Sequence, residues 1–348
     1  MSDIINRKLI VSSSPHIQND ESTTTIMYTV SLFLLPAAVF GALIFGMNAF
    51  LILFSSVVVA VISEAVCQKI MKRDITILDG SALLTGLLVG MNMPPDIPLY
   101  IPIISSAFAI IIVKQAFGGL GCNWANPALG ARVFAFTAWS KEMTTWKPPL
   151  SPDGTTSATP LGAVKSFLLE QSDGVLSGPM DVLQSLPQHI LKSDVDYLKL
   201  FFGYKGGCIG EISVFLLLLG GIYLIYRKII TLDIPVTFLG TVALLSWIFD
   251  GLNYGNGYFT GDPLFHLLTG GVVLGALFMA TDMVTTPLTT KGRLIFGTGC
   301  GLLTIIVRMF GGMPEGVSVS ILFMNMLTPA IDRFIKIKPL GFSKRRSK

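Results

Sequence analysis

Ten apolar stretches recur along the 348 residues, at approximately 26–46, 48–68, 77–93, 99–117, 125–140, 210–227, 234–250, 263–282, 292–310 and 316–332. A helix needs about 20 apolar residues to cross a hydrocarbon core about 30 Å thick, and most of these stretches approach that length. Their number dictates a chain solvated largely by lipid. Charged residues make up only 13% of the sequence, against about 25% in soluble domains. An ordinary cytosolic enzyme, a disordered chain, a fibrous repeat and a nucleic-acid module are excluded on that ground. The expected fold is an all-α integral membrane protein of about ten transmembrane helices. Several stretches are short. The fifth holds Arg132, and the third runs into Met93-Pro94-Pro95. Short, Gly- or Pro-interrupted spans are the mark of broken or re-entrant membrane helices.

Lys and Arg in the loops set the orientation. With the N-terminus inside, 16 of the 25 basic residues fall at cytoplasmic positions, among them Lys69, Lys72, Arg73, Arg227, Lys228 and the tail cluster from Arg333 to Lys348. The short connections near 94–98, 251–262 and 311–315 hold none. Both termini are therefore expected in the cytoplasm. The chain divides into a cytoplasmic segment 1–25, a first membrane half 26–140, an extracytoplasmic loop 141–208, a second membrane half 209–332 and a basic cytoplasmic tail 333–348. Residues 1–25 are polar and no short apolar run with a cleavage site follows, so no signal peptide is expected. Loops as long as 141–208 are uncommon and usually functional.

The halves echo each other. Leu84-Thr85-Gly86 and Phe117-Gly118-Gly119 in the first correspond to Leu268-Thr269-Gly270 and Phe310-Gly311-Gly312 in the second. Both echoes are offset by five spans, and an odd offset inverts one segment relative to the other, giving an inverted repeat of two five-helix halves. The spacing within each pair differs, 33 against 42 residues. Chance likeness between Gly/Leu-rich helices is the competing explanation.

Three places could carry chemistry. In Gly118-Gly119-Leu120-Gly121-Cys122-Asn123-Trp124-Ala125-Asn126-Pro127-Ala128, the glycines permit close approach, the asparagines offer amides, and Pro127 suits the first turn of a helix. A tight helix–helix turn explains the segment equally well. In the long loop, Asp153-Gly154-Thr155-Thr156-Ser157-Ala158-Thr159 reads as a turn followed by accessible hydroxyls. The third place is the set of ionisable residues in the membrane region: Glu64, Asp79, Asp250, Asp262, Asp282, Arg132, Arg308 and Glu315. Such groups are functional candidates, although solvation at the span ends explains most of them. The four cysteines are scattered, without metal or dithiol spacing, and read as buried inert thiols. No P-loop, HExxH or nucleophile motif occurs, and His16, His189 and His266 lack metal-ligand spacing.

At these motifs the chain resembles the RnfD family of the Rnf electron-transport complex, and more distantly its relative NqrB of the Na+-translocating NADH:quinone reductase. The resemblance covers nearly the whole chain. It is carried by Ser14-Pro15-His16-Ile17, the GGLGCNWANPA segment, Ala280-Thr281-Asp282 with Thr286-Pro287, and Arg308-Met309-Phe310-Gly311-Gly312-Met313-Pro314-Glu315-Gly316. Asp153 to Thr159 is similar to the flavinylation motif Asp-x-x-(Ser/Thr)-Gly-Ala-Thr, with Ser157 standing where the family usually has Gly. Carried over, Thr159 bears FMN through a phosphoester, while Asp153, Ser157 and Ala158 complete the motif; Thr155 and Thr156 are the alternative attachment points. The resemblance also implies a second, non-covalent flavin such as riboflavin, the A, B, C, E and G proteins of the Rnf complex as partners, and a flavin transferase for maturation. It implies electron transfer that drives Na+ or H+ across the cytoplasmic (inner) membrane. Enzymatic activity is implied only within the whole complex, because no NAD or iron–sulfur motif is present in this chain. A channel or secondary transporter built from an inverted repeat is the competing reading.

Overall fold

The computed structural model describes residues 22–149, 159–162, 197–253, 257–311 and 315–335, and the described residues form an all-helical molecule. Every one of the ten apolar stretches holds helix. In chain order the helices are α1 (Thr23–Phe45), α2 (Met47–Ile70), α3 (Ser81–Met91), α4 (Tyr100–Phe108), α5 (Pro127–Ala138), α6 (Val214–Tyr226), α7 (Asp233–Asn253), α8 (Pro263–Leu268), α9 (Val272–Leu274), α10 (Thr290–Phe310) and α11 (Val317–Phe334). Short helices also form at Ser140–Met143 and Tyr197–Phe202. Helices α1, α2, α7 and α10 are long and apolar enough to cross a membrane, by length and composition. Large apolar side chains such as Leu43, Phe54, Ile62 and Ile222 lie exposed on the outside, as expected of a surface that faces lipid.

The sequence explains the ends of these helices. Ser22 caps α1 by accepting the Thr25 N–H at 3.1 Å. Gly46, at φ +89°, ends α1 and starts α2 in one residue; L side chains rarely adopt that φ. Asn126 caps α5 through Oδ1, and Pro127 occupies its first turn, so the Asn-Pro pair reads as a helix start.

Small residues set the closest helix contacts. A Cβ on Gly86 of α3 would lie 2.7 Å from Val57 Cα on α2, and one on Gly301 of α10 would lie 2.9 Å from Phe238 O on α7. Gly86 and Gly90 in α3, and Gly297 and Gly301 in α10, are spaced as small-xxx-small pairs, the pattern that lets membrane helices approach backbone to backbone.

Among the described residues, two spans are broken and two carry π-helical turns. Helix α3 stops at Met91, and the chain continues through Asn92 and Met93-Pro94-Pro95. The carbonyls freed there are taken by Gly210 N–H to Met91 O (2.8 Å), Ile209 N–H to Met93 O (3.1 Å) and Asn48 Nδ2 to Pro95 O (2.7 Å), so irregular backbone is satisfied by protein. Between α8 and α9 the break falls at Thr269-Gly270-Gly271, with Gly270 and Gly271 at φ +68° and +63°. Helix α4 widens into a π-helix at Ala109–Gln115, and α9 into another at Gly275–Met279. The echoed triplets do not share a conformation: Gly86 lies inside α3, whereas Gly270 lies in a break, and Gly118 and Gly119 have positive φ, whereas Gly311 at φ −79° caps α10.

Candidate functional site at two helix breaks

The breaks after α3 and after α8 meet in the interior, joined by charged side chains from α5, α10 and residues 203–213. At the end of α8, Arg308 of α10 donates to His266 O (2.8 Å), Thr269 O (3.0 Å) and Gly270 O (3.2 Å), and Lys205 Nζ donates to Leu268 O. The last carbonyls of a helix lack internal partners and carry the negative end of its dipole. Two cations therefore hold the C-terminus of a half-helix inside the bundle. His266 Nε2 faces Asp250 Oδ1 of α7 at 3.2 Å.

On the other side of the break, Glu211 Oε1 accepts the Cys208 N–H at 2.9 Å. Its Oε2 lies where a side chain on Gly271 would sit, 2.6 Å from an ideal Cβ, so glycine is needed there for space as well as for φ. Arg132 of α5 donates to Asn92 Oδ1 (2.6 Å) and Cys208 Sγ (3.4 Å) and pairs with Glu315. The thiol of Cys208 donates to Asn92 O at 3.3 Å. A carboxylate oxygen from each of Glu211 and Glu315, with Cys208 Sγ, lie within 4.8 Å of one another.

Thr159 reaches this region through its neighbour. Leu161 Cδ1 lies 2.5 Å, and Arg308 Nη2 2.7 Å, from the position a Cβ on Gly270 would take. The Thr159 side chain accepts the Gly162 N–H at 3.0 Å and the residue is 3% exposed. The accessible hydroxyl expected from the sequence is thus buried at Thr159, because Leu161 draws the segment onto the helix break. Asp153, Ser157, Ala158, Thr155 and Thr156 lie outside the described residues, as do most of 1–25 and of the tail 333–348.

A second polar region lies toward the opposite end of α3. Asn123, Asn126, Thr281 and Asp282 line a cavity of about 100 Å3 that also reaches Ser81 and Lys114. Asn123 Nδ2 donates to Ala125 O at 3.0 Å, Asp282 accepts from the Val284 N–H and the Thr285 hydroxyl, and Asn126 Nδ2 donates to Met279 O at 3.2 Å. A carbonyl at the end of a π-turn is off the regular ladder, and Asn126 supplies its partner while capping α5. Alongside, Lys114 Nζ meets Glu64 Oε1 and Ser81 Oγ.

Several sequence expectations need correction. Glu64 and Asp250 are buried and paired, not solvated at span ends. Cys67, Cys208 and Cys300 are buried, but Cys122 is exposed and Cys208 sits against a guanidinium. Lys205 and Glu211 belong to no motif. The signal was present in Lys205-Gly206-Gly207-Cys208-Ile209-Gly210-Glu211, two charges separated by glycines just before an apolar stretch. His266, dismissed for its spacing, belongs to the site through Asp250.

Long apolar helices, breaks with their carbonyls satisfied inside the protein, and charges paired at those breaks define a multi-pass helical membrane protein with a polar interior. The chain belongs to the NQR2, RnfD, RnfE family, whose model matches residues 10–341. It is 47% identical, over 97% of its length and 96% of the relative's, to the D subunit of the proton-translocating ferredoxin:NAD(+) oxidoreductase complex of Clostridium ljungdahlii. It is 43% identical, over 97% and 96%, to the D subunit of the Na(+)-translocating ferredoxin:NAD(+) oxidoreductase complex of Acetobacterium woodii. It is 39% identical, over 93% and 94%, to the D subunit of the ion-translocating oxidoreductase complex of Stutzerimonas stutzeri.

Proposed function

We propose that this chain is the D-type membrane component of an ion-translocating ferredoxin:NAD+ oxidoreductase, an electron relay that carries FMN esterified to Thr159. The reading is supported by relatives that match nearly the full chain and bear that name. The observation that carries the flavin is the Asp153-to-Thr159 motif, followed two residues on by Leu161, which packs against a break held by two cations.

The residues present suit such a group. Thr159 carries the hydroxyl that would become the ester oxygen; at 3% exposure, its segment must leave the helix break for the transferase to reach it. Leu161 anchors the segment on Gly270. Arg308 and Lys205 hold the break and would supply positive charge near a phosphodiester at Thr159. When bound, FMN supplies one- and two-electron redox chemistry that no side chain offers. The chain has no NAD or iron–sulfur motif, so the A, B, C, E and G proteins of the complex provide the remaining steps, and a flavin transferase installs the FMN. The flavin loop faces the extracytoplasmic side and both termini the cytoplasm. The relatives transport different ions by name, H+ in one and Na+ in another, and a second, non-covalent flavin completes the proposal.

The test is flavin fluorescence of the denatured band from a host that also makes the flavin transferase. A fluorescent band that disappears in Thr159→Ala and persists in Thr159→Ser is the expected result. A dark wild-type band overturns the covalent flavin, and fluorescence that survives Thr159→Ala moves it to Thr156 or Thr155.

A further inference from the structure

We propose that Glu211 and Glu315 form one proton-binding site inside the bundle, with a single proton held on the Glu211 side of the pair. The site lies between residues 203–213 and Glu315, just before α11, and it stands whether or not Thr159 carries FMN.

The two carboxylates lie within 4.8 Å of each other, and each keeps one buried oxygen, Glu211 Oε2 and Glu315 Oε1, with no hydrogen-bond partner among the described residues. An ionised carboxylate only accepts hydrogen bonds, so two of them cannot satisfy each other. At this spacing, away from water, their charges also repel. One proton resolves both difficulties: it removes a negative charge and creates an O–H donor.

The neighbouring charges say which carboxylate takes it. Arg132 on α5 pairs with Glu315. Lys205 and Arg308 direct their donors to the carbonyls of α8 and the break, not to either carboxylate. His266 on α8 is matched with Asp250 on α7. The Cys208 thiol donates to Asn92 O. Glu211 receives only the Cys208 N–H and is 3% exposed; Arg132 and Lys205 act on it only through space, so it is the carboxylate without a hydrogen-bonded cation. A metal ion fits poorly: hard cations want about six oxygens, while this place offers two free oxygens and a thiol beside the Arg132 guanidinium.

Infrared difference spectra of the purified full complex, recorded on stepping the pH across neutrality in H2O and D2O, test the proposal. The wild type should show a carboxylic-acid C=O band that moves in D2O and titrates as one proton. The band should be lost in Glu211→Gln and shifted in Glu315→Gln. Glu211→Asp, which keeps a carboxyl should the amide variant fail to assemble, should displace the band. In-gel flavin fluorescence of each variant reports separately on the Thr159 reading. Absence of the band in the wild type overturns the proposal, as does a band that is unchanged in Glu211→Gln or Glu211→Asp. A band that disappears on adding Na+ at fixed pH also overturns it and assigns the pair to an alkali cation.

Discussion

Lys114 Nζ lies 2.6 Å from Glu64 Oε1, with both side chains almost fully buried at 2% and 1% exposure. Gln115 Nε2 shares the same oxygen at 2.7 Å, and Ser81 Oγ accepts a second Lys114 proton at 2.6 Å. The group ties α2 to the π-turn of α4 and to the start of α3. Breaking a buried pair leaves one charge uncompensated, at a cost of about 3–5 kcal/mol, whereas replacing both partners by apolar residues is often neutral. Glu64→Ala should therefore sharply lower the melting temperature of the detergent-solubilised protein. The double substitution Glu64→Leu with Lys114→Met should recover most of it.

Gly270→Ala should loosen the Thr159 segment. The residue sits at φ +68°, a conformation costing an L side chain roughly 1–2 kcal/mol, and its Cβ would enter the space of Leu161 and Arg308. Limited proteolysis should cut within the long loop faster than in the wild type, with helix content by circular dichroism unchanged.

Two helical glycines, Gly86 of α3 and Gly240 of α7, should respond oppositely to alanine. At Gly86 the new Cβ meets Val57 Cα at 2.7 Å and Ser56 O at 2.8 Å, both backbone atoms that cannot give way. Overpacking of this kind costs about 1–3 kcal/mol. At Gly240 of α7 nothing lies within 4 Å, and alanine favours a helix interior by up to about 1 kcal/mol. Thermal unfolding should rank Gly240→Ala at or above the wild type and Gly86→Ala well below it.

The Tyr197 hydroxyl hydrogen-bonds Asp262, which also caps α8 by accepting the Phe265 N–H at 3.2 Å. That hydrogen bond, with partial burial and the carboxylate charge behind it, pushes the Tyr197 phenol from 10.0 up to about 12. The folded state then holds the proton more tightly than the unfolded chain. Its contribution to stability is complete below the unfolded value and is lost as pH rises through the folded one. Melting temperature against alkaline pH should fall more steeply in the wild type than in Tyr197→Phe; parallel curves would refute the linkage.

What the sequence made legible was whatever depends on neighbours along the chain. The apolar stretches located the helical regions, Pro127 and Asn126 marked the start of α5, and Met93-Pro94-Pro95 announced the end of α3. Arg132 was visible as a deep charge, but its partners Asn92 and Glu315 are 40 and 183 positions away, and only the packed bundle selects them. Thr159 stands at the end of its motif, which is as much as the sequence says of it. Its burial follows from Leu161 meeting Gly270, which no local pattern encodes. Glu211 escaped notice because its importance comes from a helix break more than fifty residues further on. The π-turns left no periodic trace, since each spans only a few residues within an apolar run.

The π-turn at Ala109–Gln115 makes chain length and direction separable. Each residue of an α-helix advances about 100° and about 1.5 Å, whereas a π-turn, bonded i→i+5, winds one more residue into nearly the same rotation. A deletion of one residue there would let the turn close as α-helix with the side chains after it keeping nearly their present direction. Lys114 and Gln115, which now reach Glu64 together, would still point at α2. In an alignment, a single gap at this place would mark a wide turn lost, with the matched letters on either side still facing the same neighbours.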